Sequence, residues 1–174
     1  MFNEILFGVA TVLVLLSTYG ALFAGRDFLI TNVIIFGTLA NFFVTKEISL
    51  FGKAVSSTDI FFVGMILCIN FLEEFFGKKS ASKAISCYTL SMFLFLVFKS
   101  VHLAWVPTAF DSTQEHFSVI LGSSNRIILS TIIVSFITLH IDRILYRFMS
   151  RFLDIRFLFL KNFFIVVFSQ IFDT

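Results

Sequence analysis

Uncharged apolar runs of bilayer length recur along the chain, parted by short polar clusters, and this rhythm predicts the architecture. A helix crosses the hydrocarbon core with about 20 residues. Ile5 to Ala24 carries no charge and is closed by Arg26-Asp27. Phe28 to Thr45 is the second run, ended by Lys46-Glu47. The third covers Asp59 to Phe76, with Asn70, Glu73 and Glu74 in its last turns. Ala84 to Val106 is the fourth, crossed near its end by Lys99 and His102, and a polar link from Pro107 to His116 follows. The fifth lies within Phe117 to Tyr146, interrupted at Gly122-Ser123-Ser124-Asn125-Arg126, and the sixth runs from Phe157 to Thr174. The pattern predicts an all-α polytopic membrane protein: one transmembrane domain over residues 1–174, with six spans and short connections.

Composition removes the competing classes. Of 174 residues, 58% are hydrophobic and 14% charged, against roughly 25% charged in an ordinary soluble domain. Mean hydropathy is +0.98, and 27 phenylalanines stand beside a single proline. A soluble fold of this size has no interior large enough to hide that surface. A disordered chain, a disulfide scaffold and a nucleic-acid binder are excluded on the same numbers. Cys68 and Cys87 fall inside apolar runs without metal-ligand spacing, so they read as buried spacers. The opening Met1-Phe2-Asn3-Glu4 lacks the basic region of a signal peptide, and the first segment is expected to be retained.

Net charge is +2, and its distribution says more than its sum. Arg26, then Lys78, Lys79 and Lys83, then Arg143, Arg147, Arg151 and Arg156 follow spans one, three and five. Lys46 and Lys53 stand on the opposite side. The positive-inside bias therefore predicts cytoplasmic odd-numbered connections and an external N-terminus.

Polar groups inside spans are expensive and usually face a bundle interior or a cavity. Asn70 and Glu74 are i, i+4 partners with Glu73 beside them, and Gly77 follows where a helix commonly stops. They read either as an interfacial acidic pair next to Lys78 and Lys79 or as a substrate-facing carboxylate. Thr38, Asn41 and Thr45 make a polar stripe on the second span, which interhelical hydrogen bonding also explains. Asn162, Ser169 and Asp173 share one face of the last segment, with Gln170 roughly 80° away. That stripe suits a polar uncharged ring, and equally plain helix pairing.

Arg126 at mid-span would cost several kcal/mol, about 3 on insertion scales. The fifth helix is therefore expected to begin near Asn125, with Arg126 at the interface. Asp142 lies about 24 Å further along that helix, too far to pair with Arg126. No Ser/His/Asp set, HExxH, Walker loop or phosphate-cradling glycine pattern occurs. The expectation is a protein that is not an enzyme and takes no cofactor.

Several strings, in order, carry a family resemblance. They are Leu39-Ala40-Asn41 with Lys46, Asn70 to Ala81 including Glu74 and Gly77-Lys78-Lys79, Asn125-Arg126-Ile127 with Ser130 and Asp142, and Lys161-Asn162 with Ser169-Gln170 and Asp173-Thr174. The set resembles the queuosine precursor transporters, the YhhQ-like vitamin uptake transporter family. The resemblance implies a six-helix bundle of the inner membrane, similar in architecture to the substrate-binding components of energy-coupling-factor transporters. It implies import of 7-cyano-7-deazaguanine, its aminomethyl relative or queuine for tRNA modification. The implied site is Asn41, Asn70, Glu74, Arg126, Asn162, Ser169, Gln170 and Asp173, with Gly77 and Asp142 in structural or functional support. Glu73 stands where the family usually has threonine, Lys161 where it has arginine and Ile165 where it has serine.

A deazaguanine offers a ring N–H and an amino group to one carboxylate, a carbonyl to amide donors, and a flat face for phenylalanine. On this reading Glu74 matters more than Glu73, and Glu73→Thr is expected to be mild. The implied partners are the 7-deazapurine and the lipid bilayer, with no nucleic acid. A separate energising partner stays open, because no energising motif lies in this chain. The alternative is a structural or substrate-capture subunit of a larger transport complex. The last segment has a firmly apolar part, Phe163 to Phe172, of only about 15 Å, so the last helix is expected to be truncated or to open into a polar cavity.

Overall fold

Two glycines turn the chain sharply back on itself. Gly25 (φ 115°) joins α1, Phe2–Ala24, to α2, Arg26–Phe42, and Gly77 (φ 80°) joins α3, Asp59–Phe76, to α4, Lys78–Ala104. Side chains other than glycine rarely adopt these angles, so each corner is one residue long. The computed structural model describes residues 2–108, 110–122 and 125–150, together with 160, 162–164 and 167. Within them follow α5, Gln114–Gly122, and α6, Asn125–Ser150. Residues 160, 162–164 and 167 are also helical.

The chain is mostly helical, with departures from the expected boundaries. The second helix stops at Phe42, so Thr45 lies in a turn and leaves the polar stripe. A hairpin then replaces the plain connection: β1, Glu47–Leu50, pairs antiparallel with β2, Lys53–Ser56. Phe51 (φ 50°) and Gly52 (φ 77°) form its two-residue turn, whose twist matches that of paired strands. The fourth helix begins at Lys78, not Ala84, because Gly77 alone makes the corner. The fifth run divides into α5 and α6, and α6 starts at Asn125 as expected.

Phe7 and Ile60 line one cavity, Val14 faces Gly64, and Thr18 Oγ1 lies 3.6 Å from Cys68 Sγ, so α1 and α3 run side by side in parallel. Leu29 and Val33 of α2, Met65 and Leu72 of α3, and Ala84, Ile85 and Met92 of α4 are fully buried between the helices. Large apolar side chains stay exposed on the outer faces, among them Leu13 and Leu16 of α1, Phe93 and Phe98 of α4, and Ile137 and Ile144 of α6. Water does not tolerate so extensive an apolar surface; lipid does. Among the described residues, α1 and α4 are long and apolar enough to cross a membrane. They measure about 34 and 40 Å at 1.5 Å per residue.

Small residues set the helix spacing. A Cβ built on Gly37 would overlap the ring of Tyr88 and lie 3.1 Å from Met65 Sδ. Tyr88 is 1% exposed and has no empty space to retreat into. Gly37→Ala should therefore push α2 off α4 and lower stability by about 1–3 kcal/mol. Thermal unfolding in lipid nanodiscs measures it; an unchanged midpoint would show that this seam is not tightly packed.

Candidate functional site

The last turn of α3 places two adjacent carboxylates on different partners. Glu73 Oε2 accepts from Arg143 Nε at 3.1 Å, and Glu73 Oε1 from Arg147 Nε at 2.8 Å. Arg143 also donates through Nη1 to Ser82 Oγ at 2.8 Å and through Nη2 to the Lys78 carbonyl at 3.1 Å. One guanidinium thus grips both sides of the Gly77 corner. The Glu73 and Arg143 side chains are each 6% exposed, while Arg147 is 37% exposed. Glu74 faces Tyr146, whose hydroxyl donates to Oε2 at 2.6 Å. Arg143, Tyr146 and Arg147 fall at i, i+3 and i+4, one face of α6.

One turn deeper, Asn70 Nδ2 donates to Asn162 Oδ1 at 2.7 Å, tying α3 to the last helical segment. Both residues are buried, and a buried amide needs such a partner to offset its desolvation. Asp142 on α6 is 2% exposed. Asn70, Glu74 and Asn162 thus lie along the end of α3 that faces α6 and the last segment. Gly77 closes this end of α3.

Asn41 stands elsewhere. Its Nδ2 donates to the Gly37 carbonyl at 2.9 Å and to the Tyr88 hydroxyl at 3.2 Å, and its Oδ1 is buried without a hydrogen-bond partner among the described residues. Gly37 is level with Met65, so Asn41 and Asn70 are separated by roughly 13 Å along the bundle, or two and a half turns. Thr38 bonds the Ile34 carbonyl of its own helix. Arg126 sits in the first turn of α6, with its side chain outside the described residues; Ser169, Gln170 and Asp173, and the expected ending of the last helix, also lie outside them.

Glu73, expected to matter less than Glu74, is held by two arginines inside the fold. Sequence reasoning counted Arg143 and Arg147 as orientation charges only and passed over Tyr146 and Ser82. The signal was present as the i, i+3, i+4 spacing on α6, opposite two carboxylates whose partners a linear reading does not supply. Lys99, also 4% exposed, donates to the Leu121 carbonyl at 2.7 Å, a cation at the C-terminus of α5.

Apolar helices with lipid-compatible outer faces, and a buried hydrogen-bonded polar cluster at the Gly77 end of α3, are the marks of a helical membrane protein. Residues 56–174, more than half of the chain, match the family model described as "Putative vitamin uptake transporter". The chain belongs to this vitamin uptake transporter family, which places it among membrane transport proteins. No curated protein and no solved structure matches it.

Proposed function

We propose that the chain is a six-span importer of the inner membrane that carries queuosine precursors of the 7-deazaguanine type for tRNA modification. The observation that carries the reading is the buried pairing of Asn70 with Asn162 beside the Glu74–Tyr146 bond, in a chain of an uptake family. Glu74 receives the ring N–H and amino group, and the two amides answer the carbonyl edge. Hydrogen-bonding groups of this kind reject the wrong ring because they are left unpaired by it. Asn41, Arg126, Ser169, Gln170 and Asp173 serve the same path, and Asp142 and Gly77 hold the helices that form it. Partners are the deazapurine and the bilayer.

A bacterium unable to make its own precursor tests the reading. Expressing this protein should restore queuosine in tRNA when 7-cyano-7-deazaguanine, its aminomethyl relative or queuine is supplied at low concentration. Absence of queuosine with every precursor, while the protein is present in the membrane, would sink the proposal.

Orientation has its own readout. Lys83 and Lys53 are both exposed, at opposite ends of the bundle, whereas Ser80 is buried. In a background lacking Cys68 and Cys87, Lys53→Cys should react with an impermeant thiol reagent in intact cells, and Lys83→Cys only after lysis. The reverse pattern would invert the topology.

A further inference from the structure

We propose that the chain pairs with a second copy of itself about a two-fold axis normal to the membrane, through a contact centred on Ser17 of α1 and Asn32 of α2. Asn32 Nδ2 donates to the Ser17 carbonyl at 3.1 Å and to Ser17 Oγ at 3.0 Å, tying α1 to α2 on the outer surface of the bundle. One donor and one acceptor are left unused. Among the described residues the Ser17 hydroxyl donates to no acceptor, and Asn32 Oδ1 accepts from no donor. Ser17 is exposed and Asn32 half-buried, so the pair is open to the outside.

Depth makes this costly. Arg26 and Asp27 are exposed at the Gly25 corner and mark the membrane surface. Ser17 lies eight residues before that corner and Asn32 seven after it, about 10–12 Å along each helix. That is well inside one leaflet of a hydrocarbon core of about 30 Å, where neither water nor lipid completes a hydrogen bond. Other hydroxyls of the same two helices are satisfied at home: Thr11, Thr31 and Thr38 each donate to the carbonyl four residues back. Ser17 is instead held against Asn32 with its proton undonated.

A donor and an acceptor side by side are self-complementary. Under a two-fold axis the Ser17 hydroxyl of one protomer meets the partner's Asn32 Oδ1, and the reverse, so the contact closes with two bonds and no polar group remains over. A partner of another kind would have to bring a matched acceptor and donor to this depth; a second copy carries both. The surroundings allow the approach. Leu13, Ser17, Gly20 and Ala24 succeed one another at spacings of four, three and four, on one side of α1. A Cβ on Gly20 would meet nothing within 4 Å, and small residues let helix backbones come close in lipid. Phe28 and Ile35, one turn either side of Asn32, are exposed and with Leu13 frame the polar pair in hydrocarbon. The inference requires only that the protein be in a membrane and is independent of its cargo.

Subunit counting by single-molecule photobleaching in liposomes, over a range of protein-to-lipid ratios, tests it. The wild type should pass from monomer to dimer as it is concentrated in the bilayer. Ser17→Ala keeps the bond from Asn32 to the backbone carbonyl, and Asn32→Leu leaves an apolar surface. Each should weaken the dimer about tenfold, because each removes both reciprocal bonds. The double variant should be no weaker than either alone, since the two changes delete the same bonds. Gly20→Leu, placed where the monomer has open space, should abolish the dimer. In a background lacking Cys68 and Cys87, Gly20→Cys should form a disulfide between copies under oxidation, and Phe98→Cys, on the exposed outer face of α4, should not. Three outcomes would overturn the proposal: a monomer at every ratio, a dimer undiminished in any of these variants, or cross-linking through Phe98→Cys and not Gly20→Cys.

Discussion

Uptake of a 7-deazaguanine is expected to fall by about tenfold or more when Glu74 is replaced with glutamine, while the protein stays folded and in the membrane. The substitution keeps the shape of the side chain and an oxygen that can still accept from Tyr146. It removes the charge, and with it one of the two acceptors offered to the ring N–H and amino group. Hydrogen bonds to charged groups contribute about 1.5–3 kcal/mol, and each 1.4 kcal/mol is a factor of ten in affinity. Tyr146→Phe should give a smaller loss, because it frees the carboxylate to wander without discharging it. Initial uptake rates across a concentration series, together with membrane protein levels, separate these effects. Wild-type uptake by Glu74→Gln would remove Glu74 from the site.

Glu73→Thr is expected to act differently, on stability first. It installs the residue usual in the family but strands Arg143, whose guanidinium is buried at the Gly77 corner. Removing one partner of a buried ion pair costs about 3–5 kcal/mol, because the other charge stays desolvated. Arg143→Met should be less damaging, because the Glu73 carboxylate keeps Arg147 at 2.8 Å. The pair Glu73→Leu with Arg143→Met should recover much of the loss, since neither buried charge remains. Arg147, partly exposed, can turn to solvent. Thermal unfolding of Glu73→Leu, Arg143→Met and the pair beside the wild type in nanodiscs forms the double-mutant cycle, and a coupling energy near zero would show that the ion pair does not brace the corner. Glu73→Thr with wild-type stability but no uptake would move Glu73 from the brace into the site.

Most of the helical layout was legible in the linear pattern, because bilayer-length apolar runs and their charged ends are local properties. Arg26-Asp27 and Gly77 marked corners that the structure places within a residue. Asn125 marked the start of α6, because a mid-span arginine is too costly to ignore. The hairpin was not legible: Glu47–Leu50 and Lys53–Ser56 are four residues each, too short for alternation to stand out from a polar loop. The start of α4 was misplaced for a related reason, since charge along Lys78 to Lys83 reads as a loop although lysine forms helix well.

By itself, then, the sequence determined the class of protein, the apolar helices, the residues whose burial in a membrane would demand a reason, and the family. Tertiary structure decided how those residues are paired. Glu73 and Glu74 are neighbours of the same chemistry, yet one is held by Arg143 and Arg147 and the other by Tyr146, from a helix some 70 residues away. Asn70 finds Asn162, whereas Asn41, similar on paper, bonds Tyr88 two and a half turns off. The physical reason is that desolvation cost is set by residue type and local apolarity, which a chain displays along its length. The hydrogen bonds that offset this cost depend on which helix faces come together, and that is fixed by packing at places such as Gly37 and Gly64.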